Sequence, residues 1–281
     1  MIQPPDVHAA MKDAAGTTIL GRAVEILDCF DARSPTLSAS DIGRRSGIPM
    51  PTAHRIITQM VSLGLLERTE RKKLRVGMRL WELASRAQRL LALREVARPH
   101  LEGVHSVIGH HAQLGVRDGD DVMFVDLLSA PNAVINITRV ASKLPIHSCS
   151  SGLVLLAYAE NDFREDFLRR SHGPLTDRSI TDNRALRREL AGVRSQGFAV
   201  SRGAVHHEAA GVAAPLRDSA NEVVGTISVI VPNSHRHTSF AIPVLLAASR
   251  AISTSLGAQT RGLNQIDPTS SSASARASET P

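Results

Sequence analysis

Apolar positions Leu20, Ala23, Val24, Leu27 and Phe30 recur at three- and four-residue intervals, which predicts a helix ending near residue 31. A Ser34-Pro35 turn follows. Ser38 and Asp41 then form an S-x-x-D capping box that opens a second helix, and Gly47 closes it. Pro49 and Pro51 start a third helix, because the first turn has no use for their missing N–H groups. Gly64 stops it. Within that third helix Ala53, Ile56, Ile57 and Met60 share one face, suited to packing on the first two helices. Arg55, Thr58 and Ser62 fall on the opposite face, flanked by Thr52, His54 and Gln59. Residues 65–69 and 74–76 bracket Glu70-Arg71-Lys72-Lys73 and read as a short hairpin with a charged tip.

Residues 78–94 contain neither Gly nor Pro and predict one long helix. Pro99 marks a boundary, and a further helix is expected over 101–110. Beyond residue 113 the pattern changes. VMFVDLL, NAVINITRV, GFAVSRG and EVVGTISVIV are runs rich in β-branched residues and predict strands. SSGLVLLAYA, NRALRRELAGVRSQG and IPVLLAASRAISTSLG predict helices. Such a succession favours a helix-flanked antiparallel or mixed sheet over a parallel βαβ array. The fold class is therefore α+β. The expected organisation is a flexible arm over 1–16, a winged helix-turn-helix over 17–77, a linker helix over 78–98, a second domain over 99–260 and a disordered Ser/Thr/Ala/Pro tail over 261–281.

The 281 residues are enough for two domains with sizeable cores. Aromatic residues make up only 3%, so stacking platforms for single-stranded nucleic acid are largely excluded. The positive charge is unevenly placed. Residues 1–95 hold 15 Lys/Arg against 10 Asp/Glu, whereas residues 96–258 hold 16 against 15. Between residues 44 and 75 there are eight basic and two acidic side chains, a local excess that suits a polyanion. In a winged helix-turn-helix the third helix enters the major groove of double-stranded DNA. Arg55, His54, Gln59 and Thr52 can then offer hydrogen bonds to base edges and phosphates. Met50 and Pro51 lead that helix, whose free N–H groups favour a phosphate. Arg44 and Arg45 end the preceding helix beside the DNA backbone, and Arg71, Lys72 and Lys73 in the wing reach phosphates or the minor groove.

Residues 17–258 resemble the IclR family of transcriptional regulators. The resemblance rests on ILGRAVEILDCF, on LSASDIGRRSGIPMPTAHRIITQMVSLGLLER with its T-A-H-R after G-I-P, and on LPIHSCSSG, GFAV and AAPLRD downstream. It implies a C-terminal effector domain related to GAF domains, a homodimer or homotetramer, and a ligand-responsive regulator of a metabolic, catabolic operon with a near-palindromic operator. By motif position it implies an effector pocket at Leu144, Ile146, Ser150, Ser151, Ser201, Gly211, Ser228 and Ile230, with a ligand carboxylate held by N–H groups at the start of the helix near Gly152. The chain departs from the family at Ser201-Arg202-Gly203-Ala204, Gly211, Ile230 and Leu153. These changes imply a less polar, larger pocket and a small organic acid with an apolar body, an aromatic ring being one form of it. A small-molecule binding protein acting through protein partners without operator recognition is the alternative.

Other chemistry finds little support. Ser151-Gly152 lacks a full G-x-S-x-G elbow, since position 149 is Cys, and no Walker loop or dinucleotide fingerprint occurs. No enzymatic activity and no cofactor are expected. The twelve histidines show no metal-ligand spacing, and no metal is expected; His147 and the His206-His207-Glu208 run are candidate ligand contacts. Cys29 and Cys149 form no C-x-x-C pair, which fits a reducing cytoplasmic setting. No run approaches the ~18 apolar residues that cross a bilayer, so no membrane partner is expected.

Overall fold

The computed structural model describes residues 18–258, apart from 32, 33 and 132. The predicted arm over 1–16 and the tail over 261–281 lie outside the described residues.

Three helices, α1 (Ile19–Asp28), α2 (Ala39–Ser46) and α3 (Met50–Ser62), form the first unit with a two-stranded antiparallel hairpin, β1 (Leu66–Arg68) and β2 (Leu74–Val76). Local chemistry sets each boundary. Ser38 Oγ accepts the Asp41 N–H while the Asp41 carboxylate accepts the Ser38 N–H, the reciprocal box the sequence predicts. Gly47 ends α2 at φ 69°. Pro51 sits in the first turn of α3. Ala53, Ile56, Ile57 and Met60 are buried and join Ile26, Ile42, Leu66 and Leu74 in one core.

The single helix expected over 78–94 is two: α4 (Met78–Ala84) and α5 (Gln88–Ile108). Residues 81–89 are all exposed, so no packing favours continuity there. The Ser85 hydroxyl donates to the Glu82 carbonyl, and Ala87 leaves the helical region at ψ 62°. Pro99 does not divide helices either. It lies inside α5 at an exposed position, where the carbonyl freed by the missing N–H faces water.

The second unit is a six-stranded antiparallel sheet, ordered β5-β4-β3-β8-β7-β6. Its strands are β3 (His111–Asp118), β4 (Asp121–Leu128), β5 (Lys143–Pro145), β6 (Ala199–Arg202), β7 (Ala209–Arg217) and β8 (Val223–Pro232). Helices α5 and α9 (His235–Ser255) cover one face through Leu101, Leu114, Val212, Ile227, Val229 and Leu245. Helices α6 (Ser150–Ala157), α7 (Asn161–Phe167) and α8 (Asn183–Gln196) cover the other through Phe124, Leu153, Leu156, Phe167 and Leu190. The α9 helix is capped by Ser234, whose hydroxyl accepts the His237 N–H, and so runs from His235 through Pro243 rather than starting near residue 242 as the pattern predicts.

The strand expected at NAVINITRV does not form. Residues 133–140 are an irregular loop, in which Ile135 and Ile137 are half exposed. The Asn136 side chain accepts the Thr138 N–H, a local bond that competes with pairing to a neighbouring strand.

Candidate DNA-binding surface and effector pocket

The outer face of α3 carries His54, Arg55, Thr58, Gln59 and Ser62, all exposed. Two of these hydroxyls are already used by their own helix: Thr58 Oγ1 donates to the His54 carbonyl and Ser62 Oγ to the Gln59 carbonyl. Among the described residues, the side chains of His54, Arg55 and Gln59 have no intramolecular hydrogen bond or ion pair and remain free to bond a ligand. No side chain caps the start of α3. Met50 leans on α2, its Sδ lying where a Cβ on Gly43 would stand, and so buttresses the turn. Pro51 is exposed beside it, and Thr52 is half-buried at the edge of the face.

In the wing Arg71, Lys72 and Lys73 are exposed at the hairpin tip, Lys72 at φ 57°. Exposed Arg68 on β1 adds a fourth cation that the motif reading left out. The two arginines of α2 behave differently. Arg44 pairs only with neighbouring Asp41 at 2.7 Å, in an exposed contact worth little. Arg45 donates to the Cys29 carbonyl and to Ser34 Oγ, both at 3.0 Å, and ties α2 to the end of α1.

A cavity lies between α6, the sheet and the loop at 133–140. Phe124, Ile135, Ile137, Leu144, Val205, Ala209 and Ile230 give it an apolar lining. Polar groups come from Gln113, Asn136, Thr138, Ser150, Ser151, Ser201 and His206. The space between atoms is about 470 Å³, part of it open to solvent.

Two glycines allow α6 to sit this close. A Cβ on Gly152 would lie 1.9 Å from the Ile146 carbonyl oxygen, and one on Gly211 would lie 2.6 Å from Ser150 Oγ. The start of α6 is thereby pressed against β7 at the cavity. Cys149 precedes it in extended conformation, and its side chain makes no capping hydrogen bond to the helix. Burial pushes its thiol up to about 12. The cysteine is thus a neutral, unreactive wall.

Of the eight pocket positions, Leu144, Ser150, Ser151, Ser201, Gly211 and Ile230 line the cavity. Ile146 does not: its side chain is fully buried in the core with Leu153 and Leu156. Ser228 lies on the cavity side of β8, two residues from Ile230 and opposite Gln113, but beneath the lining, and its buried hydroxyl has no partner. Of the His206-His207-Glu208 run, His206 lines the cavity, while exposed His207 and Glu208 do not. His147 does not line it either; its Nε2–H donates to the Gly173 carbonyl at 3.0 Å, and the ring packs against His172 and Phe167. The expected loss of polarity is offset by Gln113, Asn136 and Thr138, from β3 and the loop. No motif marks these residues, and the β-branched pattern of the loop predicts a strand there.

Pocket and linker meet at a β-bulge. Val125 is the extra residue in β4, so Leu114 pairs with Asp126 while Gly115 pairs with Phe124. The bulge leaves Phe124 facing the cavity and turns Asp126 to the α5 side. There the Asp126 carboxylate, only 3% exposed, receives Arg94 Nε at 3.1 Å and Arg98 Nη1 at 3.0 Å. The Leu127 N–H adds a third donor at 2.9 Å.

Among the described residues, no three His, Cys, Asp or Glu side chains are grouped to hold a metal, and no helix is long and apolar enough to cross a membrane.

Comparison with known proteins agrees with this layout. Residues 20–70 match the IclR helix-turn-helix domain, and residues 86–256 match the bacterial transcriptional regulator IclR C-terminal domain. The HTH-type transcriptional regulator Rv1719 of Mycobacterium tuberculosis is 30% identical over 78% of this chain and 84% of its own length. The HTH-type transcriptional regulator BhcR of Paracoccus denitrificans is 30% identical over 79% of this chain and 80% of its own. A crystal structure of an IclR homologue from Microbacterium hydrocarbonoxydans, complexed with 4-hydroxybenzoate, superimposes with a TM-score of 0.79 at 39% identity, covering 85% of this chain and 99% of that one.

Proposed function

Because the chain belongs to the IclR family of DNA-binding bacterial transcriptional regulators, we propose that it senses a small aromatic carboxylic acid and, in response, alters its hold on the operator of a catabolic operon in the cytoplasm. The observation that carries this reading is the pocket itself. The amino end of α6 opens onto a cavity walled by Phe124, Ile135, Ile137 and Ile230. Free N–H groups and a helix dipole suit a carboxylate, and the apolar walls suit a ring. The 4-hydroxybenzoate complex of the Microbacterium homologue supports the same ligand class.

On the DNA side, Arg55, His54 and Gln59 read bases, while Arg71, Lys72 and Lys73 bind phosphates. Leu20 and Val24 are 76% and 56% exposed on α1, and Trp81 on α4 is 61% exposed, a surface that a second copy of the chain covers. A homodimer, or a tetramer built from two, then meets a near-palindromic site. Asp126 is the coupling element: it fixes α5, which leads toward the DNA-binding unit, to the strand that carries Phe124. A thermal-shift screen of aromatic and aliphatic carboxylates tests the ligand class. A shift with ring-bearing acids supports it, and the absence of a response to any carboxylate overturns it.

A further inference from the structure

The loop over 133–140 is fixed to the sheet at several points. His111 Nε2 meets the Val134 carbonyl at 2.6 Å. The Ala141 N–H donates to the Phe124 carbonyl at 2.7 Å, and the Phe124 N–H to the Ser142 carbonyl at 3.0 Å. Gln113 Nε2 donates to Thr138 Oγ1 in a short bond, and Thr138 Oγ1 donates to Asn136 Oδ1 at 2.7 Å.

This chain of donors has a direction. The Thr138 N–H, 3.1 Å from the Asn136 side chain, can only donate, so the atom it meets is the carboxamide oxygen. The other end of Asn136 is therefore its NH2 group. That nitrogen is buried, and it has no hydrogen-bond partner. A buried amide donor without an acceptor is costly, and native proteins rarely keep one unless something else supplies the acceptor. Asn136 lines the cavity into which α6 points its amino end.

We propose that Asn136 Nδ2 is the specificity determinant of the pocket: it donates to a second oxygen of the bound acid, a hydroxyl or carbonyl borne by the ring at a distance from the carboxylate. The inference rests on the reading of the pocket as an aromatic-acid site. The helix terminus then selects for a carboxylate, the apolar walls for a ring, and Asn136 for oxygenation of that ring. Because the Gln113–Thr138–Asn136 chain holds the donor in place before binding, little ordering accompanies contact with the ligand.

Isothermal titration of the full chain with benzoate, 4-hydroxybenzoate and 4-aminobenzoate tests the assignment. Wild type is expected to bind 4-hydroxybenzoate about tenfold more tightly than benzoate, the effect of one satisfied buried donor. Asn136→Ala is expected to remove that preference, lowering 4-hydroxybenzoate affinity about tenfold more than benzoate affinity. Asn136→Asp keeps the acceptor for Thr138, so the loop retains its anchor, but replaces the donor by an acceptor; its preference should turn toward 4-aminobenzoate. Equal affinity of wild type for benzoate and 4-hydroxybenzoate overturns the proposal while leaving the aromatic-acid reading intact. So does an equal loss of both in Asn136→Ala. Failure of all three acids to bind wild type overturns that reading and the proposal together.

Discussion

Removing the two arginines that hold Asp126 is expected to destabilise the protein more than removing Asp126 itself. Asp126 is 3% exposed, whereas Arg94 and Arg98 are 45% and 40% exposed. In Arg94→Ala/Arg98→Ala the carboxylate stays buried with the Leu127 N–H as its remaining donor. A buried charge stripped of its partners costs about 3–5 kcal/mol. The helix itself does not suffer, since alanine is at least as good a helix former as arginine. In Asp126→Ala the two guanidinium groups turn into water, and the loss is that of hydrogen bonds to a charged group, about 1–2 kcal/mol once their exposure is counted. Urea unfolding followed by far-UV circular dichroism gives both numbers, with the slope of each transition checked for constancy. The reasoning fails if Asp126→Ala costs as much as the double arginine variant, because the penalty would then not come from stranding a buried carboxylate.

The remaining predictions concern DNA, packing, protonation and thiol reactivity. Arg55→Ala should cost about 1–3 kcal/mol of specific operator binding and relax sequence preference, whereas Lys72→Ala should weaken binding to all sequences alike and lower the salt dependence by about one unit; binding isotherms on specific and scrambled duplexes at several salt concentrations separate the two. Gly152→Ala should lower stability by about 1–3 kcal/mol in thermal or chemical denaturation, because its methyl group meets the Ile146 backbone rather than a movable side chain. Burial holds the pKa of His147 below its ordinary 6.5, and His172 and His110 shift the same way. The unfolded chain therefore takes up these protons first, so their contribution is complete above pH ~6.5 and is lost as pH falls below it; His147→Gln should flatten that part of a stability–pH profile. With its thiol pushed up to about 12, Cys149 is about one part in ten thousand thiolate at pH 8, and it should resist alkylation by iodoacetamide until the protein is denatured.

The DNA-binding half was largely legible in the sequence because its signals are local. The Ser38–Asp41 box, the prolines before α3 and the apolar face at Ala53, Ile56, Ile57 and Met60 each report on a few neighbouring residues. The sheet was less legible. β7 reads AAGVAAPLR, poor in the β-branched residues that mark strands, because it runs between β6 and β8 with both faces buried, and small side chains there let α6 and α9 approach. The stretch at 133–140 shows the converse error, since its isoleucines face a cavity and solvent rather than a partner strand. Family motifs located the cavity through Ser150, Ser151, Ser201, Gly211 and Ile230. The residues that give it polar character, Gln113, Asn136 and Thr138, became visible only when the fold brought β3 and the loop together.

The most direct test of the account is fluorescence anisotropy of the full chain on labelled DNA from the intergenic region beside its own gene, at physiological salt, with and without the aromatic acid that shifts its melting temperature most. The account predicts specific binding whose affinity changes at least several-fold with the acid in wild type. Gly211→Val, which fills the space beside Ser150, should bind the same DNA but not respond to the acid. Wild-type affinity for that DNA that stays the same at saturating acid would contradict it.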